Sequence, residues 1–153
     1  MAKYLTSTDQ NVALNNTIPF NIVSIPCNKG YVYHRNGSGI LTLRGIVRNS
    51  CGCFARYQVT FNGNIAVPED GVVGPISIAL ALDGEPILTS RAIVTPADVD
   101  SYFNVTSTAI ITVPKGCCFN VSVENTSESA DPATTPAPAI NVQNANLTVT
   151  RIA

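Results

Sequence analysis

Five cysteines carry most of the reactive chemistry in this chain of 153 residues: Cys27, Cys51, Cys53, Cys117 and Cys118. An odd count leaves at least one thiol unpaired within a single copy. Cys51 and Cys53 are spaced Cys-x-Cys in "RNSCGCF", and Cys117 and Cys118 are adjacent in "VPKGCCFNV". Neither spacing is the Cys-x-x-Cys pair of the usual tetrahedral zinc site, so zinc ranks behind buried thiols or disulfides. A redox centre ranks last, because the sequence offers no helix start or basic neighbour to activate a thiol. His34, the only histidine, stands beside a turn in "YVYHRNGSG", where a surface strand residue is expected rather than the proton relay of a Ser-His-acid triad. "GSG" at 37–39 lacks the Lys-Ser/Thr and the following helix of a phosphate loop. Carboxylates pair only at Glu69/Asp70, Asp83/Glu85 and Asp98/Asp100, all in expected turns. Calcium can use such groups, but solvated turns are the simpler reading. No catalytic residues and no cofactor are therefore expected, with zinc or calcium the only candidates for an exception.

The bulk composition narrows the class. The length suits one domain with a real core. Hydrophobic residues make up 45% of the chain, as in a globular protein, but charged residues only 12%, about half the usual share of ~25%. Asn, Thr and Ser carry the polar load, and such a surface repels copies of itself little. Net charge is −1 with no basic run, which argues against nucleic acid, whose phosphates demand clustered cations. No apolar run approaches the ~20 residues of a membrane helix. "MAKYLTSTDQ" lacks the apolar core of a signal peptide, so cytoplasmic synthesis and reduced thiols are expected. Work outside the cell would follow lysis, assembly or a non-classical route. Trp is absent and aromatics are 7% of residues, which leaves Tyr4, Tyr31, Tyr33 and Tyr102 as weak candidates for stacking on sugars. The triplets at Asn104 and Asn120 match glycosylation acceptors but read as polar faces of strands.

Elements able to position these residues are strands nearly throughout. Apolar residues alternate in "TIPFNIV" (Ile18, Phe20, Ile22), "GILTLRGIV" (Leu41, Leu43, Val47), "FARYQVTF" (Tyr57, Val59, Phe61) and "GPISIALALDGE" (Ile76, Ile78, Leu80, Leu82). The same period runs through "YFNVTSTAIITVP", "CFNVSVEN" and "NANLTVTRI". Asn-Gly at 36–37 and Asp-Gly at 83–84 are strong hairpin signals. The one helical start is "TPADVDSYF", with Thr95 as cap and Pro96 at the first position, giving at most one turn near 96–102. Residues 126–139, "TSESADPATTPAPA", have no apolar period and read as a mobile loop. The organisation expected is an N-terminal tail or first strand over 1–16, then one domain over 17–153. Many short antiparallel strands with regular turns give an all-β, two-sheet sandwich or barrel-like jelly roll.

The ordered series "NNTIPFNIV", "GYVYHRNGSGILTLRGIV", "ARYQVTFNGNIAV", "ISIALALDGEPI", "STAIITVPKGC" and "ANLTVTRIA" resembles the TNF-like jelly roll across 11–153. Its style is that of the bacterial and phage branch, which includes the C-terminal domains of collagen-like spore-exosporium glycoproteins. The resemblance implies a homotrimer acting as a non-enzymatic structural or adhesive module on a virion or other extracellular particle surface: capsid decoration, head fibre or tail accessory. The alternative is a carbohydrate- or receptor-binding head of a bacterial surface or spore-coat protein. Unlike the exosporium type, the chain has no Gly-X-Y stalk. Expected partners are copies of itself, a capsid or spore surface, and a surface glycan, with neither nucleic acid nor membrane. Low charge and small side chains nominate Ser77, Ala79, Ala81, Thr106, Thr108 and Ile110 for subunit contact.

A TNF-like strand order would bring Cys27, Cys51, Cys53, Cys117 and Cys118 to one end of the sandwich. By strand parity Cys117 faces inward and Cys118 outward, so Cys117 is expected to be buried near Cys51 or Cys53. Buried thiols or disulfides closing that end, with the pairing open, are the favoured outcome.

Overall fold

The computed structural model describes residues 1–129 and 138–153. Its strands are β1 (Ala2–Leu5), β2 (Gln10–Val12), β3 (Ile22–Ile25), β4 (Val32–His34), β5 (Leu41–Arg44), β6 (Phe54–Ala66) and β7 (Ile76–Leu82). They continue with β8 (Glu85–Pro86), β9 (Ala92–Val94), β10 (Phe103–Pro114), β11 (Cys118–Asn125) and β12 (Ile140–Arg151). The first sheet runs β10-β6-β12-β1-β3, with β2 also on β12. The second runs β4-β5-β11-β7-β8, with β9 also on β7. Every pairing is antiparallel.

The period-two pattern becomes the core directly. Along β6 the odd residues Tyr57, Val59 and Phe61 are fully buried while Gln58 is exposed. They meet Ile76, Ile78 and Leu80 of β7, Leu41 and Leu43 of β5, and Leu147 of β12 in one cluster between the sheets. Each such Leu, Ile or Phe contributes about 1.5–3 kcal/mol by leaving water. Ile18 and Phe20 join this core, but Ile22, the next in their alternation, is 39% exposed because β3 begins there as a rim strand.

Turn chemistry holds where the sequence is most specific. Leu82 pairs with Glu85, and the intervening Asp83 (φ 50°) and Gly84 (φ 84°) are both left-handed, as a tight primed hairpin turn requires. Between β4 and β5, Gly37 (φ 80°) follows Asn36 in a longer loop, and its N–H donates to Phe20 O. In β12 an extra residue opens a bulge between Gln143 and Asn146, with Asn144 left-handed at φ 52°. Gly63 lies across from it, where a Cβ would come within 3.0 Å of Ala145 Cβ.

Two expectations are corrected and one is narrowed. The helical turn is at Leu88–Ser90, not 96–102. There the chain instead turns at Asp100 (φ 53°), whose N–H donates to Val67 O, and a left-handed residue stops a helix from growing. Of the two readings of residues 1–16, tail or first strand, the strand is found: Ala2, Tyr4 and Val12 are buried, and β1 lies between β12 and β3. Of the loop expected over 126–139, residues 130–137 lie outside the described residues, while its start is tied down. Thr126 N donates to Ser77 O, and Ser127 is buried against β7.

Candidate functional site

The cysteines gather as the strand order requires, but not as a closed cap. Cys118 pairs with Arg44, Phe54 pairs with Pro114, and Lys115 N donates to Cys53 O, so the 45–53 loop and the 114–117 turn lie together. Cys27 lines a cavity of about 630 Å³ at the same end with Lys29, Tyr31 and Arg151. All five are free thiols. Cys51, Cys53, Cys117 and Cys118 are exposed and Cys27 is half-buried.

Cys117 was expected to be buried and is not. Strand parity fails there because β11 starts one residue later, at Cys118. Cys117 instead closes a turn, its N–H donating to Pro114 O across Lys115 and a left-handed Gly116 (φ 81°). Among the described residues no three His, Cys, Asp or Glu side chains converge as a metal site.

Lys115 is two residues from Cys117, and Arg44 is the register partner of Cys118. At Cys27, burial alone would raise the thiol pKa. The N–H groups of Val32, Lys29 and Tyr31 bring it below the ordinary value. Beside it the Arg151 guanidinium lies 4.3 Å from the Tyr31 ring centre, and its Nη1 is buried with no partner.

The candidate contact residues divide between the two sheets. Thr106, Thr108 and Ile110 are exposed on the outward face of β10, Ile110 at 62%. They continue a ladder of neutral polar side chains that sequence reading missed. Asn62 donates to Thr106 Oγ1 and to Asn104 Oδ1, Asn104 donates to Asn64 Oδ1, and Thr108 bonds Thr60. The signal was present in the even positions of β6 and β10, but only their register shows that they face one another.

Ser77, Ala79 and Ala81, by contrast, are withdrawn from any subunit contact of the free protomer: all three are at most 1% exposed. They lie on the second sheet, where Ala79 and Ala81 oppose Glu124 and Ser122, themselves buried. Arg91 straps the start of this face: Nε donates to Ser77 Oγ, Nη2 to Thr126 O, and Nη1 forms an ion pair with Glu128 at 2.9 Å.

At the opposite end from the thiols, Asn11, Glu69, Asp70, Asp100 and Asn141 surround a cavity of about 550 Å³. Burial, then Asp9 and Asp100, push the neighbouring Tyr102 hydroxyl pKa up. His34 has no catalytic setting: Nε2 lies 2.8 Å from Ser38 O and its ring packs on buried Tyr4 at 4.6 Å.

No protein-family model matches the chain, and no curated protein matches its sequence. Solved structures do. The globular domain of zebrafish complement 1qA protein aligns over 99% of this chain and 96% of its own, at 15% identity and a TM-score of 0.57. The C-terminal domain of EclA, a sugar-binding protein, aligns over 95% of this chain and 80% of its own, at 16% identity and a TM-score of 0.42. With two antiparallel sheets and one 3-10 turn among the described residues, the chain has the TNF-like jelly-roll fold that the zebrafish domain shares.

Proposed function

We propose that the chain is a non-enzymatic structural and adhesive module, homotrimeric, carried on the surface of a larger particle and best suited to a bacteriophage virion as capsid decoration, head fibre or tail accessory. The observation that carries this reading is the outward face of β6, β10 and β12. It is broad and polar, with Arg56 bonded to Thr112 toward one end and Ile110 exposed at its edge. Side chains already bonded to one another lose little further freedom on contact, and a face with so little charge can be buried cheaply. Among the described residues no nucleophile and acid assemble around the one histidine, His34, which is committed to Ser38 O and Tyr4.

Light scattering on the purified protein tests the assembly: a mass of three chains is expected, and a monomer at micromolar concentration overturns it. Binding to purified capsids tests the setting. A carbohydrate- or receptor-binding head is the second reading, favoured by the Asn11, Asp70, Asp100 and Asn141 pocket, whose amide and carboxylate groups suit sugar hydroxyls. Reproducible binding on a glycan array, lost in Asp100→Ala, selects it over decoration.

A further inference from the structure

The chain sums to a net charge of −1, but the fold sorts its charges by sign. Residues 25–31, 44–58, 114–118 and 150–153 meet at the thiol end, as the pairs Lys3–Ile25, Arg44–Cys118, Phe54–Pro114 and Tyr57–Arg151 require. These segments carry Lys29, Arg44, Arg48, Arg56, Lys115 and Arg151, and no Asp or Glu. Residues 6–12, 66–75 and 95–102 meet at the other end, held by the pairs Val12–Ile140, Ala66–Asn141 and Ile65–Phe103. They carry Asp9, Glu69, Asp70, Asp98 and Asp100, and no Lys or Arg.

Neither set is neutralised within the protomer. Among the described residues the one ion pair is Arg91–Glu128, which involves none of these eleven side chains. Arg44 donates only to Gly30 O, Arg56 to Thr112 Oγ1 beside the Phe54 ring, and Arg151 lies over Tyr31. The β7–β8 turn reaches this end beside β11, where Asp83 is bound to Asn120 N two residues from Cys118, so Asp83 and Glu85 offset part of the basic set and leave it in excess.

We propose that the basic thiol end docks on the acidic end of a second copy, head to tail. The two faces are complementary in sign, nearly equal in charge count and carried by one chain, so every copy offers both. Basic-on-basic and acidic-on-acidic contacts are repelled, which leaves a single polarity. A heterologous contact between opposite ends of the domain leaves one free face of each sign on every pair, so copies add into columns. It is independent of how protomers associate side by side through the β10 face.

Sedimentation velocity on the full chain in reducing buffer tests the proposal. Association growing with protein concentration is expected at low ionic strength, weakened about tenfold or more once added salt shortens the screening length below about 8 Å. Arg48→Glu with Lys115→Glu cuts the six positive charges of the thiol end to a net of +2, and Asp70→Lys with Asp98→Lys cuts the five negative charges of the other end to a net of −1. All four residues are exposed, so both variants should melt like the parent. Each alone should fail to associate, and an equimolar mixture should associate again. Absence of salt-sensitive association in the parent overturns the proposal, as does association that survives in either variant alone. So does a thiol end that binds a heparin oligosaccharide while the protein stays unassociated, which would give that end to a polyanion.

Discussion

The outward faces of β7 and β10 look alike in sequence and differ completely in the folded protein. "SIALAL" and "NVTSTAII" both alternate apolar residues with small or hydroxyl side chains. On β10 the second set, Thr106, Thr108 and Ile110, is open to solvent. On β7 the second set, Ser77, Ala79 and Ala81, is buried. Position explains the contrast. β10 is the rim strand of the first sheet, whereas β7 lies inside the second. The outer face of β7 is covered by Arg91 and Ser127 at Ser77 and flanked by buried Ser122 and Glu124 of β11 beside Ala81 and Ala79. The small residues of β7 are therefore core, and the similar-looking ones of β10 are surface.

Placing the same charge on each face is the strongest way to break this contrast. Ala79→Arg should cost about 3 kcal/mol or more in denaturant melts, because it forces a long side chain into a close-packed site that holds only a methyl group. A melt within 0.5 kcal/mol of the parent, a range roughly that of neutral surface changes, would mean that the β7 face is open after all. Arg91→Ala should cost about 1.5–3 kcal/mol, since bonds from a charged donor to Ser77 and Thr126 are lost where the chain covers β7. Glu128→Gln should cost less than about 1 kcal/mol, Glu128 being 76% exposed.

Tyr57→Phe removes the buried bond from the Tyr57 hydroxyl to Arg44 O, 2.6 Å, and should cost about 1 kcal/mol. Burial also raises the Tyr57 and Tyr4 pKa values above 10.0, with Arg151 partly opposing the rise at Tyr57. Groups with raised folded-state values stabilise the fold below the unfolded value and lose that contribution as pH climbs through the folded one. Alkaline melts should therefore be flat to about pH 10 and then fall, and Tyr57→Phe should soften the fall. Thr108→Arg should have the smallest effect on the dilute protomer, within about 0.5 kcal/mol. Yet it should reduce the light-scattering mass from three chains to one. A trimer that survives it would remove β10 from the contact.

The fold was legible because each level of the sequence agreed with the next: alternation, Asp-Gly and Asn-Gly turns, and an apolar face for every long strand. What failed were readings that needed tertiary information. Pro96 promised a helical turn, but the chain spends those residues crossing from β9 to β10 with Asp100 left-handed. Parity placed Cys117 inside because it assumed that the strand began before Cys118. The segregation of charge was invisible because Lys29, Arg48, Lys115 and Arg151 are far apart in sequence and no run announces them. Strand order alone carries the segments bearing the five cysteines toward one end, but it says nothing of whether their sulfurs meet.

Strand β10 has one more consequence, for the protein's history before assembly. Its twelve residues form the rim of the first sheet and pair only with β6 among the described residues. A long strand with one unmatched backbone edge is a template for any extended chain that meets it. A newly folded protomer therefore faces a race between finding its own partners and recruiting unfolded neighbours. Both processes speed up with concentration, so the rate of synthesis, rather than stability, decides how much protein stays usable.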